Sequence, residues 1–385
     1  MKWRKDIDLS TFENRFQEIL QLKKQNPSGY SLMDFGIGEE KSAPDPRVVA
    51  SLEIALIDEK NHKYMDRGLL SLKEQARKYL ARQFQVDVKE KEIAITMGTK
   101  AGLSILPSML IQPNDVIVTT SPGYVVLENV ARFYGAESVR LPLLEENHFL
   151  PDLSKVKKEV WERTKILSLN YPNNPTGAVA TKRFYQQAIA LAKQYHFLIV
   201  NDAAYLAYTY DEPPLSFLSM EGAKEVGVEL YTLSKSHNMT GYRIGFIAGN
   251  EEVIERYETM CDYFDSGQFG PIQHAACYAL DHDQITEKLK AKYQIRRENI
   301  IEILHQHHLK VMETNGTFYL YVAVPKPFQS ARAFSRYLLE KVGIMTIPYD
   351  EAGHYVRLSM TYQAEKELSF YLDFDLRLNQ IDRII

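Results

Sequence analysis

Cysteine is scarce in this chain. Only Cys261 and Cys277 occur among 385 residues, too few for a disulfide framework, and the scarcity fits a reducing, cytoplasmic setting. Neither sign of charge dominates: 46 Lys and Arg face 50 Asp and Glu, a net charge of −4. So even a balance argues against a nucleic-acid or polyanion binder. Long apolar runs are missing too. None approaches the ~20 residues that a membrane span needs, and the charged opening (Lys2, Arg4, Lys5, Asp6, Asp8) has no apolar stretch like that of a secretory signal. What is plentiful is tyrosine, 24 against 17 Phe. Its apolar ring and polar tip suit a polar, ring-binding cleft. The length, set against about 150 residues per domain, predicts two or three domains. With 45% apolar residues, a disordered or collagen-like chain is excluded.

Several chemistries lack their motifs. There is no G-x-x-x-x-G-K-[ST], no G-x-G-x-x-G opening a helix after a strand, no H-E-x-x-H and no G-x-S-x-G. His305, His307 and His308 cluster at a charged helix end, which reads as a solvated surface rather than a metal site. No metal is expected.

Through the middle, apolar runs of strand length alternate with helical patterns. Strands are predicted at 92–96, 115–119, 165–170, 197–201, 230–234 and 244–248, and helices at 100–111, 125–134 and 182–194. Such alternation predicts an α/β fold with a mostly parallel central sheet covered by helices on both faces. Ligands in such sheets bind beyond the carboxyl ends of the strands. The tail differs, with a long polar helix at 284–307, strands near 317–322 and 355–359, and a helix after Ala364. It reads as a small α+β domain, joined by an amphipathic opening helix at 12–24. The expected division is a large domain at 45–280 and a small one built from 1–44 and 281–385.

The polar residues of interest sit at strand ends. One strand runs into Asn170-Tyr171-Pro172-Asn173-Asn174-Pro175-Thr176-Gly177, and another into Asn201-Asp202-Ala203-Ala204-Tyr205. A third runs into Thr232-Leu233-Ser234-Lys235, followed by Gly241-Tyr242-Arg243-Ile244-Gly245. Earlier, Met97-Gly98-Thr99-Lys100 opens a helix. Each has a plain alternative: a turn for Asn-Pro-Thr-Gly, a cap for Asp202 or Gly98-Thr99, a solvated side chain for Lys235.

One ligand accounts for them together. Pyridoxal phosphate needs a lysine amine for its aldehyde, here Lys235. It needs a carboxylate that keeps its pyridine nitrogen protonated, here Asp202. Asn174 and Tyr205 are donors for its phenolic oxygen. Gly98, Thr99, Thr232, Ser234 and Arg243 offer a helix start, hydroxyls and a guanidinium for its phosphate. Tyr124, in Ser121-Pro122-Gly123-Tyr124, could stack on the ring or be a core tyrosine.

With these blocks in this order, from Gly36-Ile37-Gly38 to Tyr355-Val356-Arg357-Leu358-Ser359, the chain resembles the class I/II aminotransferases of fold type I. The resemblance implies further roles. Arg357 would clamp the substrate α-carboxylate, with Asn174 supporting it and the backbone of Gly38 lining the site. Tyr64 resembles a tyrosine that reaches the phosphate of a neighbouring subunit, and Lys100 a phosphate-loop lysine. A homodimer with a shared active site follows. Lys235, Asp202 and Tyr205 would be the catalytic residues.

Within the family, the look is that of LL-diaminopimelate aminotransferases, on Phe217-Leu218-Ser219, 222–229 and Asp265-Ser266-Gly267-Gln268-Phe269. Gly316-Thr317-Phe318-Tyr319 and 177–180 are shared with methionine and aromatic aminotransferases. Four departures stand out, one of them Val125 after Tyr124, where Pro is frequent. Thr232 replaces Gly or Ser, and Glu39-Glu40 follows Gly38 where Asp-Pro is usual. The loop between Pro348 and Tyr355 is short and lacks the Gly after the Pro. That loop borders the substrate side chain in relatives, so it bears on substrate identity. The expected activity is amino transfer between an L-amino acid and a 2-oxo acid, 2-oxoglutarate and glutamate forming one pair. A C–S β-lyase would use the same lysine and aspartate. A non-catalytic effector-binding module lacks support in the short segment before Gly36 and in the even charge.

Overall fold

The computed structural model describes residues 21, 23–65, 67–313 and 315–382. The opening helix expected at 12–24 lies, but for its last residues, outside them. The described residues form two compact units. The larger holds Glu39–Gln294 with residues 315–317; the smaller holds the residues up to Gly38, Ile295–Glu313 and the chain from Phe318 onward.

Twelve strands are found among the described residues: β1 (Met33–Asp34), β2 (Ile93–Thr96), β3 (Val116–Ser121), β4 (Glu137–Pro142), β5 (Thr164–Leu169), β6 (Leu198–Asp202), β7 (Gly227–Thr232), β8 (Gly245–Gly249), β9 (Tyr319–Ala323), β10 (Ile344–Met345), β11 (Ile347–Tyr349) and β12 (Tyr355–Ser359). The larger unit carries a seven-stranded sheet in the order β2-β8-β7-β6-β5-β3-β4. The pairs β3–β4, β3–β5, β5–β6 and β6–β7 are parallel, and β8 alone runs against its neighbours. This is the mostly parallel α/β sheet that the alternation predicts. β2, β3, β5, β6 and β7 therefore share one direction, and each ends at one of the polar segments singled out above. The topology brings those segments to one edge of the sheet.

Apolar strands and helix faces build the core behind that edge. Ile117, Ile166, Val200, Leu230 and Ile247 pack with Leu106 from the helix Thr99–Leu110, all nearly inaccessible. The helix Lys182–Tyr195 shows why these residues are helical. Thr181 caps it by accepting the N–H of Phe184. Phe184, Tyr185, Ala188, Ile189 and Ala192 form its buried stripe, and His196 ends it in the left-handed region at φ 59°.

In the smaller unit, β11-β12-β9 form an antiparallel sheet, and β1 pairs with β10 in parallel. Two expectations need correction. Leu233 and Ser234 are not strand but the start of a helical turn, Leu233–Ser236, because the Thr232 hydroxyl accepts the N–H of Ser234 and caps it. The histidine cluster is not uniformly solvated either. His307 is buried, held between Asp375 (2.8 Å) and Asp382 (2.5 Å).

Candidate active site

Asp202 closes β6 with its side chain buried, 5% exposed. Its Oδ1 accepts the Ala204 N–H at 3.2 Å, and its carbonyl oxygen accepts Asn170 Nδ2 at 2.8 Å. Burial pushes the carboxyl up to about 7, against the downward pull of the Ala204 N–H and of the Lys235 charge. β6 and β7 are adjacent parallel strands, so Asp202 and the turn that carries Lys235 stand at neighbouring strand ends. Lys235 stands in the turn Leu233–Ser236, at the carboxyl end of the neighbouring strand β7. Its backbone carbonyl accepts the hydroxyl of Tyr208 at 2.6 Å.

A second group forms around Arg243. Gly98, at φ +78°, is the N-terminal cap of the twelve-residue helix Thr99–Leu110. A Cβ there would come within 2.8 Å of Arg243 Nη2, so glycine is what lets the guanidinium lie beside the helix start. Arg243 Nη1 donates to the Thr240 carbonyl at 2.8 Å and to Ser234 Oγ at 3.5 Å. Gln268 Nε2 donates to the carbonyls of Tyr242 and Arg243 at 2.9 and 2.7 Å, bracing the left-handed backbone of Arg243. Thr232 Oγ1 accepts Ser234 N–H at 3.1 Å and donates to the Ile244 carbonyl at 3.4 Å. Its hydroxyl shapes the turn.

Asn174 is half-buried just past β5, its N–H bonded to Asn170 Oδ1 at 2.9 Å. Tyr205 is buried, Thr99 half-buried, Lys100 exposed, Tyr124 38% exposed and Tyr64 90% exposed. Asp202 with Lys235, and Gly98 with Ser234 and Arg243, are thus brought together.

In the smaller unit, Arg357 is buried in β12. Its Nη2 donates to the Gly36 carbonyl at 2.8 Å, its Nη1 faces Tyr349 Oη at 3.5 Å, and its guanidinium carbon lies 4.1 Å from the Tyr319 ring centroid. Gly38 allows Tyr319 its place, since a Cβ there would fall 1.9 Å from the phenol oxygen.

This donor set suits pyridoxal phosphate. A carboxylate raised by burial gains from a cationic ring nitrogen. The start of a long helix, a guanidinium and the Ser234 hydroxyl suit a phosphate. Asn170 and Gln268 lie in the quoted blocks but receive no role from the sequence, and Tyr208 and Tyr349 carry no motif, because all four side chains act on the backbone or on another side chain.

The profile of the family described as Aminotransferase class I and II matches residues 30–368. The chain belongs to this family. It is a pyridoxal-phosphate-dependent aminotransferase, an enzyme acting on amino acids and 2-oxo acids. It is 43% identical over 364 residues to an LL-diaminopimelate aminotransferase of Methanocaldococcus jannaschii, covering 92% of this chain and 87% of that protein. It is 36% identical over 370 residues to the transaminase BacF of Bacillus subtilis, covering 94% and 92%. A substrate-bound BacF structure from the same organism superposes with a TM-score of 0.90 at 33% identity, covering 100% of this chain and 98% of that one. Among the described residues, no helix of this aminotransferase is long and apolar enough to cross a membrane.

Proposed function

We propose that this aminotransferase exchanges the amino group between LL-diaminopimelate and the 2-oxoglutarate/glutamate pair. The observation that carries this choice is the 43% identity, over 92% of the chain, to a protein named for that donor. The short loop 349–354 bears on the same choice.

The bound cofactor supplies an electrophilic carbonyl carbon and an electron-withdrawing ring. In this reading Lys235 Nζ holds the cofactor at rest. The same Nζ would also be the general base placed to move the proton of the donor Cα. Asp202 keeps the ring nitrogen protonated, its low-dielectric surroundings strengthening the pair. Tyr205 and Asn174 would donate to the phenolic oxygen, and Tyr124 would stack on the ring. Gly98, Thr99, Ser234 and Arg243 receive the phosphate, with Lys100 adding charge and Thr232 shaping the turn. Arg357 takes the substrate α-carboxylate; a share for Asn174 and for the Gly38 backbone in substrate binding is what the family resemblance implies.

The larger unit is read as the cofactor domain and the smaller as a domain built from both chain ends. The working form is a homodimer, in which Tyr64, 90% exposed on the single chain, serves the neighbouring site. A cytoplasmic setting fits the free thiols of Cys261 and Cys277. The test is a donor panel of LL-diaminopimelate, methionine, phenylalanine and alanine with 2-oxoglutarate, followed by the reverse reaction with glutamate. The highest kcat/KM is expected for LL-diaminopimelate; preference for an apolar donor would overturn the assignment.

A further inference from the structure

Glu40 stands where the family pattern is broken, and the proposed function gives it no task. Its side chain is only 5% exposed. Oε1 accepts from Lys292 Nζ at 2.9 Å, Ser42 N–H at 3.0 Å and Ser42 Oγ at 2.9 Å, and Oε2 accepts the Tyr293 hydroxyl at 2.7 Å. Burial alone would raise this carboxyl. The donors Ser42, Tyr293 and Lys292, with the Lys292 charge, outweigh burial and hold it at about 2. Glu40 is therefore a permanent buried anion, and what it holds is specific.

Tyr293, itself buried, meets the ring of Tyr208 edge to face, with centroids 5.3 Å apart and planes at 86°. Tyr208, with no exposed surface, donates its hydroxyl to the carbonyl of Lys235 at 2.6 Å. A single helical turn such as Leu233–Ser236 leaves carbonyls without partners inside the helix. Tyr208 serves the carbonyl of the residue that carries the reacting amine. A second tie comes from Asn238, three residues further on. Its Nδ2 donates to the carbonyls of Ser42 and Ala43 at 2.9 and 3.1 Å. The 40–43 segment is thus fastened to the Lys235 turn by two routes, one through a pair of tyrosines and one through an amide. Burial, with Tyr210, Tyr79 and the Glu40 charge adding, drives the Tyr208 phenol well above its ordinary value. It stays a donor throughout the working pH range.

We propose that Glu40 and Tyr208 are positioning residues for Lys235, joined through Tyr293, and fix the backbone from which the lysine amine reaches cofactor and substrate. The proposal rests on the reading of Lys235 as the reacting lysine. Its logic is geometric: small displacements of a reacting group cost rate out of proportion to their size, and a hydrogen bond to the lysine's own carbonyl limits them. The ring contact between Tyr293 and Tyr208 carries packing, and the hydroxyl carries direction. Replacing Tyr208 by Phe removes the direction and keeps the packing.

The test uses the holoenzyme without substrate. The visible band of the lysine-bound cofactor is titrated with pH in wild type, Tyr208→Phe and Lys235→Ala, and kcat, KM and Tm are measured alongside. In Tyr208→Phe, the pH midpoint is expected to move by about half a unit and kcat to fall about tenfold, with KM within about twofold. A purely structural tyrosine would lower Tm and leave the pH midpoint and kcat unmoved, and that result overturns the proposal. Glu40→Ala is expected to lower kcat about fivefold, and the double variant to be no slower than Tyr208→Phe alone, as for two parts of one path. Losses that multiply in the double variant overturn the link from Glu40 to Tyr208. A band that survives in Lys235→Ala is a separate failure, of the lysine assignment itself.

Discussion

Asp202 in the larger unit and Arg357 in the smaller are both 5% exposed, yet their surroundings treat the two charges in opposite ways. Asp202 accepts the Ala204 N–H, and its carboxyl still rises to about 7 because burial outweighs that bond and the Lys235 charge. Arg357 is braced on three sides, by the Gly36 carbonyl, the Tyr349 hydroxyl and the face of the Tyr319 ring. Carbonyl oxygen and ring face both favour a cation. The contrast matches the lifetimes of the proposed partners. A cofactor ring stays in place through turnover, so the carboxylate that meets it can be left under-stabilised in the bare protein. A substrate carboxylate leaves every cycle, so the guanidinium must keep its shape and charge between visits.

The sharpest way to break this comparison is to remove the group that Asp202 senses. Lys235→Ala is expected to abolish turnover, by about 10⁴-fold or more, and to remove the visible band of the lysine-bound cofactor. Turnover within tenfold of wild type would show that the Asp202 neighbourhood is not the reacting centre. The Arg357 side gives a smaller effect of a different kind. Arg357→Ala is expected to raise KM for amino acid and oxo acid about 100-fold, or about 2.7 kcal/mol, while the visible band persists. If cofactor were lost instead, the guanidinium would belong to the cofactor and the contrast in lifetimes would fail.

How far the sequence reveals these two regions differs as well. The strand-end segments of the larger unit are legible because a parallel sheet repeats one pattern, an apolar run followed by polar residues. β5, β6 and β7 appear within a few residues of their expected places. β4 escapes notice because its residues, Glu137 to Pro142, are mostly exposed or half-buried and give no apolar run. In the smaller unit, β1 and β10 have two residues each, too few for any periodicity to register. The Lys235 turn reads as strand until the Thr232 hydroxyl caps it, a local bond that outweighs the apolar pattern. Arg357 is visible through its motif, but Tyr349 beside it is not. Its place follows from the pairing of Tyr349 with Tyr355 across β11 and β12, which puts Ile347 opposite Arg357. His307 reads as one of three solvated histidines, yet it is buried, with the carboxylates of Asp375 and Asp382, far along the chain, at its two ring nitrogens.

The smallest effect tests the Asp202 side of the comparison directly, through stability rather than rate. In the cofactor-free protein the Asp202 carboxyl is raised to about 7 from an ordinary 3.8. Between those values the folded state holds a proton that the unfolded state has released. Stability from this group is therefore present at low pH, declines as pH rises from about 4 to 7, and stays lost above 7. Asparagine has nearly the same shape and cannot ionise. Cofactor-free Asp202→Asn should gain on wild type as pH rises through that window, reaching an advantage on the order of 2–4 kcal/mol above pH 7, read from urea midpoints. With cofactor bound the order should reverse, because the wild-type carboxylate then has its cation and the amide does not. Parallel stability curves for the two cofactor-free proteins would mean that Asp202 titrates like an ordinary carboxylate. The larger unit would then hold its charge as comfortably as the smaller unit holds Arg357, and residence time would explain nothing.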